Sequence, residues 1–204
     1  MLVTLSGIDG SGKSTLAERI IYHLGQKNNI AYLLKPKYYG NQIVRKFCHD
    51  KFGNEFLYIP KLKSDFYISA LMLDWLDFSE NILAKTDKNS IFVCDRYIYD
   101  VFAQAIHYNA NLELIDMFPA YFLEPDLSFY LDIDPTIAHT RLLERVDPAI
   151  HHMESLENLK ILYNSYLDVK KYLNWYPEDV DADSDLDLIA DNISTKIINM
   201  IKSN

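Results

Sequence analysis

Leu2-Val3-Thr4-Leu5-Ser6 is a short apolar run, and Gly7-Ile8-Asp9-Gly10-Ser11-Gly12-Lys13-Ser14-Thr15 follows it directly. Gly7, Gly12, Lys13 and Ser14 fall at the spacing G-x-x-x-x-G-K-[ST], and a helical pattern, Thr15–Leu24, comes next. Strand, glycine-rich turn and helix in this order form a phosphate-binding loop. The glycines let backbone N–H groups turn inward around phosphate oxygens at the positive end of a helix. The residues expected to hold ATP are therefore Gly7, Gly10, Ser11, Gly12, Lys13, Ser14 and Thr15. Lys13 reaches the β- and γ-phosphates, and Ser14 offers its hydroxyl to Mg²⁺.

Further along, short runs rich in β-branched and aromatic residues recur at Ile30–Leu34, Ile91–Cys94 and Leu127–Leu131, each followed by a break and a longer helical pattern. They read as buried parallel strands. A weaker fifth strand precedes Asp181-Ala182-Asp183, and the acidic stretch Glu178 to Asp187 reads as a polar turn. Leu186–Ile201 repeats apolar residues at helical spacing. Alternation of this kind predicts an α/β fold, a doubly wound sheet of about five parallel strands with helices on both faces, in one domain spanning residues 1–204. Lys61–Lys85 is the longest helical candidate. Its Leu62, Phe66, Ser69, Leu73, Leu76 and Leu83 form a stripe expected to face the core, and Tyr67, Asp74, Trp75 and Asp77 lie on a second face that could line a pocket.

Composition narrows the partners. The formal charge of −9 argues against coating nucleic acid, whose phosphates call for lysine and arginine. No window approaches the ~20 apolar residues that span a bilayer, and the first residues lack the basic start of a secretion signal. Cys48 and Cys94 make neither a disulfide framework nor a zinc site. A cytoplasmic protein with no nucleic-acid or membrane partner is expected.

A phosphate loop serves switches, motors and kinases alike. A GTPase would carry an Asn-Lys-x-Asp segment, which is absent, and Asp50-x-x-Gly53 follows a helical pattern instead of a strand. Asp95 closes the third strand with Arg96 beside it, in Ile91-Phe92-Val93-Cys94-Asp95-Arg96-Tyr97. A carboxylate there is placed to hold Mg²⁺ together with Ser14, and the guanidinium to clamp a phosphate. The plainer alternative is an Asp–Arg pair tying strand to helix.

Gly7–Thr15, then Asp95-Arg96-Tyr97 about 80 residues later, then Pro125–Arg141 (PDLSFYLDIDPTIAHTR) resemble the thymidylate kinase family in order and over essentially the whole chain. The resemblance implies a P-loop kinase core with a mobile lid, at approximately 141–155, that transfers the γ-phosphoryl group of ATP to a nucleoside monophosphate, thymidylate or a related nucleotide. It also implies Mg²⁺ and allows a homodimer. By position, Asp9 falls near the acceptor sugar's 3′-hydroxyl and Arg96 on the acceptor phosphate. Gly10 stands where some members carry a catalytic arginine. That moves the burden to Arg141 and Arg145, one helical turn apart, so that Lys13, Arg96, Arg141 and Arg145 form the expected catalytic set. The adjacent His151 and His152 lack a third metal ligand and read as solvated loop residues.

The acceptor half departs from the family. Leu34-Lys35-Pro36-Lys37 keeps the proline turn without its arginine and glutamate, and Asp100 replaces a serine. Ala149-Ile150 ahead of Glu154-Ser155 replaces the lid's aspartate–arginine pair. Asp74 or Trp75 stands where a base-reading arginine belongs. The expected acceptor-binding residues are Asp9, Pro36, Phe66, Tyr67, Asp74, Trp75, Arg96, Asp100 and Gln104. An ionised Asp74 facing the base accepts hydrogen bonds only, which would favour an amine edge such as that of cytosine or adenine over thymine. Two further readings stay open: a P-loop kinase of a nucleoside or other small metabolite, and a nucleotide-binding regulatory protein without transfer.

Overall fold

The computed structural model describes residues 1–27, 29–57, 61–85, 90–114, 116, 118–145 and 154–203. Five strands, β1 (Leu2–Ser6), β2 (Ala31–Leu34), β3 (Ile91–Asp95), β4 (Leu127–Asp132) and β5 (Glu178–Asp181), form one sheet in the order β2-β3-β1-β4-β5. Every pairing is parallel, with Val3 opposite Val93 and Leu127, Leu33 opposite Val93, and Leu131 opposite Val180. Each parallel step needs a crossover, which the helices supply: α1 (Lys13–Gln26), α2 (Tyr39–Phe52), α3 (Ser64–Lys85), α4 (Ile98–His107), α5 (Pro135–Leu143), α6 (Leu156–Tyr172) and α7 (Leu186–Ser203).

The strands' sequences follow their depth in the sheet. Every residue of β1 and β3 is buried, as expected of strands covered on both faces. β5 lies at an edge, and the acidic residues that read as a polar turn form the strand itself: Glu178, Asp179 and Asp181 keep that edge exposed and charged. Charge on an edge strand discourages pairing with other chains. The apolar alternation that marks an inner strand is therefore missing there.

The long helix begins at Ser64, and much of the face expected to be core points outward, although Leu62, just before the helix, packs against the core. Phe66 is 58% and Leu73 64% exposed, while Tyr67, Ile68, Leu71, Met72, Trp75 and Phe78 are buried. Both faces carry apolar residues at helical spacing, and the core takes the one with three large aromatic rings, whose burial removes more surface from water. Trp75 sits edge-on against Phe78 and Tyr97 inside that core. The side chain of Leu83 lies outside what the structure describes. α2 crosses α3 at Gly40, where a Cβ atom would come 2.7 Å from the Ala70 carbonyl oxygen, so only glycine permits this approach. Gly53, in the left-handed region at φ 76°, ends α2 with its N–H on the His49 carbonyl. No helix among the described residues is long and apolar enough to cross a membrane.

Candidate active site

β1 and β3 are neighbours, so the loop after one and the Asp-Arg pair at the end of the other meet at the carboxyl edge of the sheet. Crevices beyond that edge are where open α/β sheets bind ligands. The loop starts α1 at Gly12, in the left-handed region at φ 91°. A Cβ on Gly10, also left-handed at φ 83°, would overlap the Ala138 carbonyl oxygen of α5. No side chain, an arginine included, fits at Gly10 in this arrangement.

Lys13 folds back over the loop, donating to the carbonyl oxygens of Gly7 (2.8 Å) and Ile8 (2.7 Å) and to the Ser11 hydroxyl (3.3 Å). Burial, reinforced by the Arg96 charge, brings its ammonium down to about 8. The Ser14 hydroxyl donates to Asp95, and the Lys35 ammonium lies 3.0 Å from the same carboxylate oxygen. Burial would raise the carboxyl of Asp95, but the Ser14 bond and the Arg96 and Lys13 charges overcome it and leave it below the ordinary value. A small cavity of about 130 Å³ is lined by Asp9, Gly10, Gly12, Lys13, Ser14, Thr15, Asp95, Arg96 and Arg145. Gly7 and Ser11 lie behind it as supports of Lys13.

Arg96 has φ 83°, a left-handed backbone that a residue with a Cβ adopts at a cost. Its guanidinium bridges Asp9 on one side and Asp100, at 3.2 Å, on the other. Burial opposes the ionisation of Asp9, yet Arg96 and Lys13 hold its carboxyl below the ordinary value. Asp100 is only 1% exposed and accepts from the Ser6 and Tyr166 hydroxyls and the Tyr97 N–H as well. It lies behind Arg96, which corrects its expected place against the acceptor.

A second cavity, about 510 Å³, opens beside the first and shares Asp9 and Arg96 with it. Tyr67 and Gln104, both expected at the acceptor, line it, along with Lys37, Tyr38, Asn41, Gln42, Arg45, Leu71, Glu154 and Leu162. Phe66, Asp74, Trp75 and Pro36 are not among its walls. Phe66 is on the outer face of α3 and Trp75 in the core. Pro36 is buried and turns the chain from β2 toward Lys37 and Tyr38. Asp74 accepts the backbone N–H groups of Gly40 (2.6 Å) and Asn41 (3.0 Å), so both of its oxygens cap the first turn of α2. A helix start leaves such N–H groups without internal partners, and a carboxylate there also meets the positive end of the helix dipole. Asp74 therefore serves the helix that forms the cavity wall, and a preference for amine edges does not follow from it.

The two arginines expected in a lid separate. Arg145 lines the phosphate-loop cavity and pairs with Glu154 at 3.0 Å. Arg141 is turned to the loop after β5, donating to the Ala182 carbonyl (2.9 Å) and Asp183 (3.0 Å). His151, His152, Ala149 and Ile150, with the rest of 146–153, lie outside the described residues. The α2 residues of the second cavity carry no motif; outside α2, Lys37 next to the proline turn and Glu154 in the Glu154-Ser155 pair carry a local signal.

A phosphate loop at the end of a parallel sheet, an Asp-Arg pair on the neighbouring strand and a second cavity sharing that arginine define a phosphate-loop kinase. The family model for thymidylate kinase matches residues 5–187, and the chain belongs to that family. The thymidylate kinase of Mycoplasmoides gallisepticum is 27% identical over 100% of this chain and 96% of its own. That of Acholeplasma laidlawii is 32% identical over 66% of each chain. Among solved structures, the deoxyadenosine kinase of M. mycoides with dCMP and a flexible dCDP bound superposes with a TM-score of 0.65, covering 98% of this chain and 100% of that one at 18% identity. That likeness is one of fold.

Proposed function

We propose that the protein transfers the γ-phosphoryl group of ATP to a nucleoside monophosphate, with thymidylate the first candidate, in a Mg²⁺-dependent reaction. The observation that carries this reading is the pair of adjoining cavities with Asp9 and Arg96 as common wall. Donor and acceptor phosphates bound in the two would both lie against Arg96, and phosphoryl transfer asks little more of a protein than positioning and neutralised charge.

On this reading Lys13, turned from the loop carbonyls, supplies its ammonium to the β- and γ-phosphates, and Arg145 adds charge where the transferring group becomes most negative. The Ser14 hydroxyl and Asp95 carboxylate are hard oxygen donors already within hydrogen-bond reach of each other, and the Lys35 ammonium beside them marks a place that favours a cation. They fit Mg²⁺, which is commonly held by one or two carboxylates together with substrate phosphates. When bound, Mg²⁺ would neutralise phosphate charge. Arg96 receives the acceptor phosphate, exchanging its bond to Asp9 for one to the ligand, and the freed carboxylate faces the acceptor sugar.

Asn41, Gln42 and Gln104 offer the base side chain amides, which both donate and accept, and Tyr67 offers a ring. With Asp74 occupied by backbone, its charge gives no reason to disfavour thymine, and family membership supports thymidylate. The reading includes a homodimer, supported by an apolar stripe left exposed at Tyr39, Ile43 and Phe47 of α2 and by Phe66 and Leu73 of α3. Initial rates with ATP and a panel of nucleoside monophosphates test the acceptor. Thymidylate with the highest kcat/KM supports the assignment; a nucleoside outperforming every monophosphate overturns it. Sedimentation of wild type and Ile43→Lys tests the assembly, a monomeric wild type refuting the dimer.

A further inference from the structure

We infer that Tyr166 is a positioning residue of the transfer site, joining the phosphate loop to Arg96 through one hydroxyl. The inference rests on the assignment of Arg96 to the acceptor phosphate.

Tyr166 belongs to no motif. It lies on α6, is 1% exposed, and its hydroxyl stands 3.0 Å from the Gly7 carbonyl oxygen and 2.6 Å from a carboxylate oxygen of Asp100. Burial and the neighbouring Asp100 charge push the phenol well above its ordinary value, so it stays protonated. A phenol has one proton, and both neighbours are acceptors. The hydroxyl therefore divides its donation between the first residue of the phosphate loop and the carboxylate that holds Arg96.

Each acceptor has another donor whose position matters to the reaction. The Gly7 carbonyl also takes the Lys13 ammonium, at 2.8 Å. When Lys13 turns to a phosphate it leaves that carbonyl, and the Tyr166 proton is the donor that remains. Buried polar groups left without partners are costly, so a retained donor makes the release of Lys13 easier. Asp100, for its part, anchors Arg96, whose left-handed backbone persists only where the surroundings fix it. Tyr166 donates to the same Asp100 oxygen that accepts from Arg96 and so helps to set where the guanidinium can point.

The substitution Tyr166→Phe removes the hydroxyl and keeps the ring, which packs against Tyr130 at 5.3 Å between centroids. Losing one buried hydrogen bond should raise the Kd for the best acceptor monophosphate roughly five- to tenfold, with a comparable fall in kcat. A residue that merely filled the core would lower the melting temperature and leave both constants alone. Calorimetric binding of that monophosphate is measured for wild type, Tyr166→Phe, Asp100→Asn, the double variant and Arg96→Ala, with kcat and KM for each. The inference predicts that Tyr166→Phe weakens acceptor binding and that the double variant binds no more than about twofold worse than Asp100→Asn, because the two act as one unit. Wild-type constants in folded Tyr166→Phe overturn it while Arg96→Ala still abolishes binding. Undiminished binding by Arg96→Ala removes the acceptor assignment itself, and the inference falls with it.

Discussion

Replacing Asp74 by alanine should damage the acceptor side of the site by loosening a helix, and the size of the effect can be worked from two hydrogen bonds. Asp74 is 6% exposed and receives the Gly40 and Asn41 N–H groups. Hydrogen bonds to a charged group are worth about 1.5–3 kcal/mol each, with some recovery when water reaches the freed N–H groups. Asp74→Ala should therefore cost ~2–4 kcal/mol, and Asp74→Asn, which keeps one accepting oxygen, about half as much. For a chain of this length that corresponds to a fall of roughly 5–15 °C in melting temperature for the alanine variant. Because α2 carries Asn41, Gln42 and Arg45 to the acceptor cavity, the acceptor KM should rise while the ATP KM stays near wild type. Thermal and urea unfolding give the first number and steady-state kinetics below the transition give the second. Stability of Asp74→Ala within about 0.5 kcal/mol of wild type would refute the capping argument. So would an Asp74→Asn variant of unchanged stability whose preference shifts from amine-bearing to carbonyl-bearing bases.

The remaining predictions concern charge. Since Lys13 sits near 8 in the folded protein against an ordinary 10.5, kcat/KM for ATP should fall as pH rises through about 8. Over the window from about 8 to 10.5 the unfolded chain holds a proton that the folded one has released, so this group makes folding stability rise while phosphate affinity falls; an activity profile flat to pH 10 would contradict the burial of its ammonium. Arg145→Ala should lower kcat roughly a hundredfold or more, and Arg141→Ala less than tenfold, since only Arg145 lines the phosphate cavity; the reverse order would mean that Arg141 leaves Asp183 to act in transfer. Removing the ammonium 3.0 Å from Asp95 in Lys35→Met should lower the Mg²⁺ concentration for half activity by ~2–5-fold, and superimposable titrations would show that Lys35 does not compete there.

What could be read from the chain is what short-range chemistry dictates. Gly7–Thr15 states its own geometry, because positive φ, a lysine and a hydroxyl at fixed spacing serve one purpose. The runs of β1 and β3 are mostly apolar, with Thr4, Ser6 and Asp95 the exceptions, because both of their faces are covered. Asp95 and Arg96 were legible from their place at a strand end. The role of Asp74 is not legible because the partners of a carboxylate can be backbone N–H groups far away in sequence, which leave no trace in residue identity. The buried face of α3 is not legible because Phe66, Leu73 and Leu76 repeat as regularly as Tyr67, Leu71 and Trp75, and periodicity does not say which stripe meets the sheet. Arg45 and the amide side chains of Asn41 and Gln42 reach the second cavity from α2 through the crossing at Gly40, a tertiary event with no local pattern. Tyr166 is likewise invisible as one aromatic among many in an amphipathic helix.

The most direct test of the central claim is a transfer assay with γ-labelled ATP and Mg²⁺, resolving the products formed from nucleoside monophosphates, nucleosides and water. Two cavities joined at Asp9 and Arg96 predict label in a nucleoside diphosphate, lost in Lys13→Ala and Arg96→Ala proteins that remain folded. Label released only as inorganic phosphate, or transferred to a nucleoside in preference to every monophosphate, would contradict it.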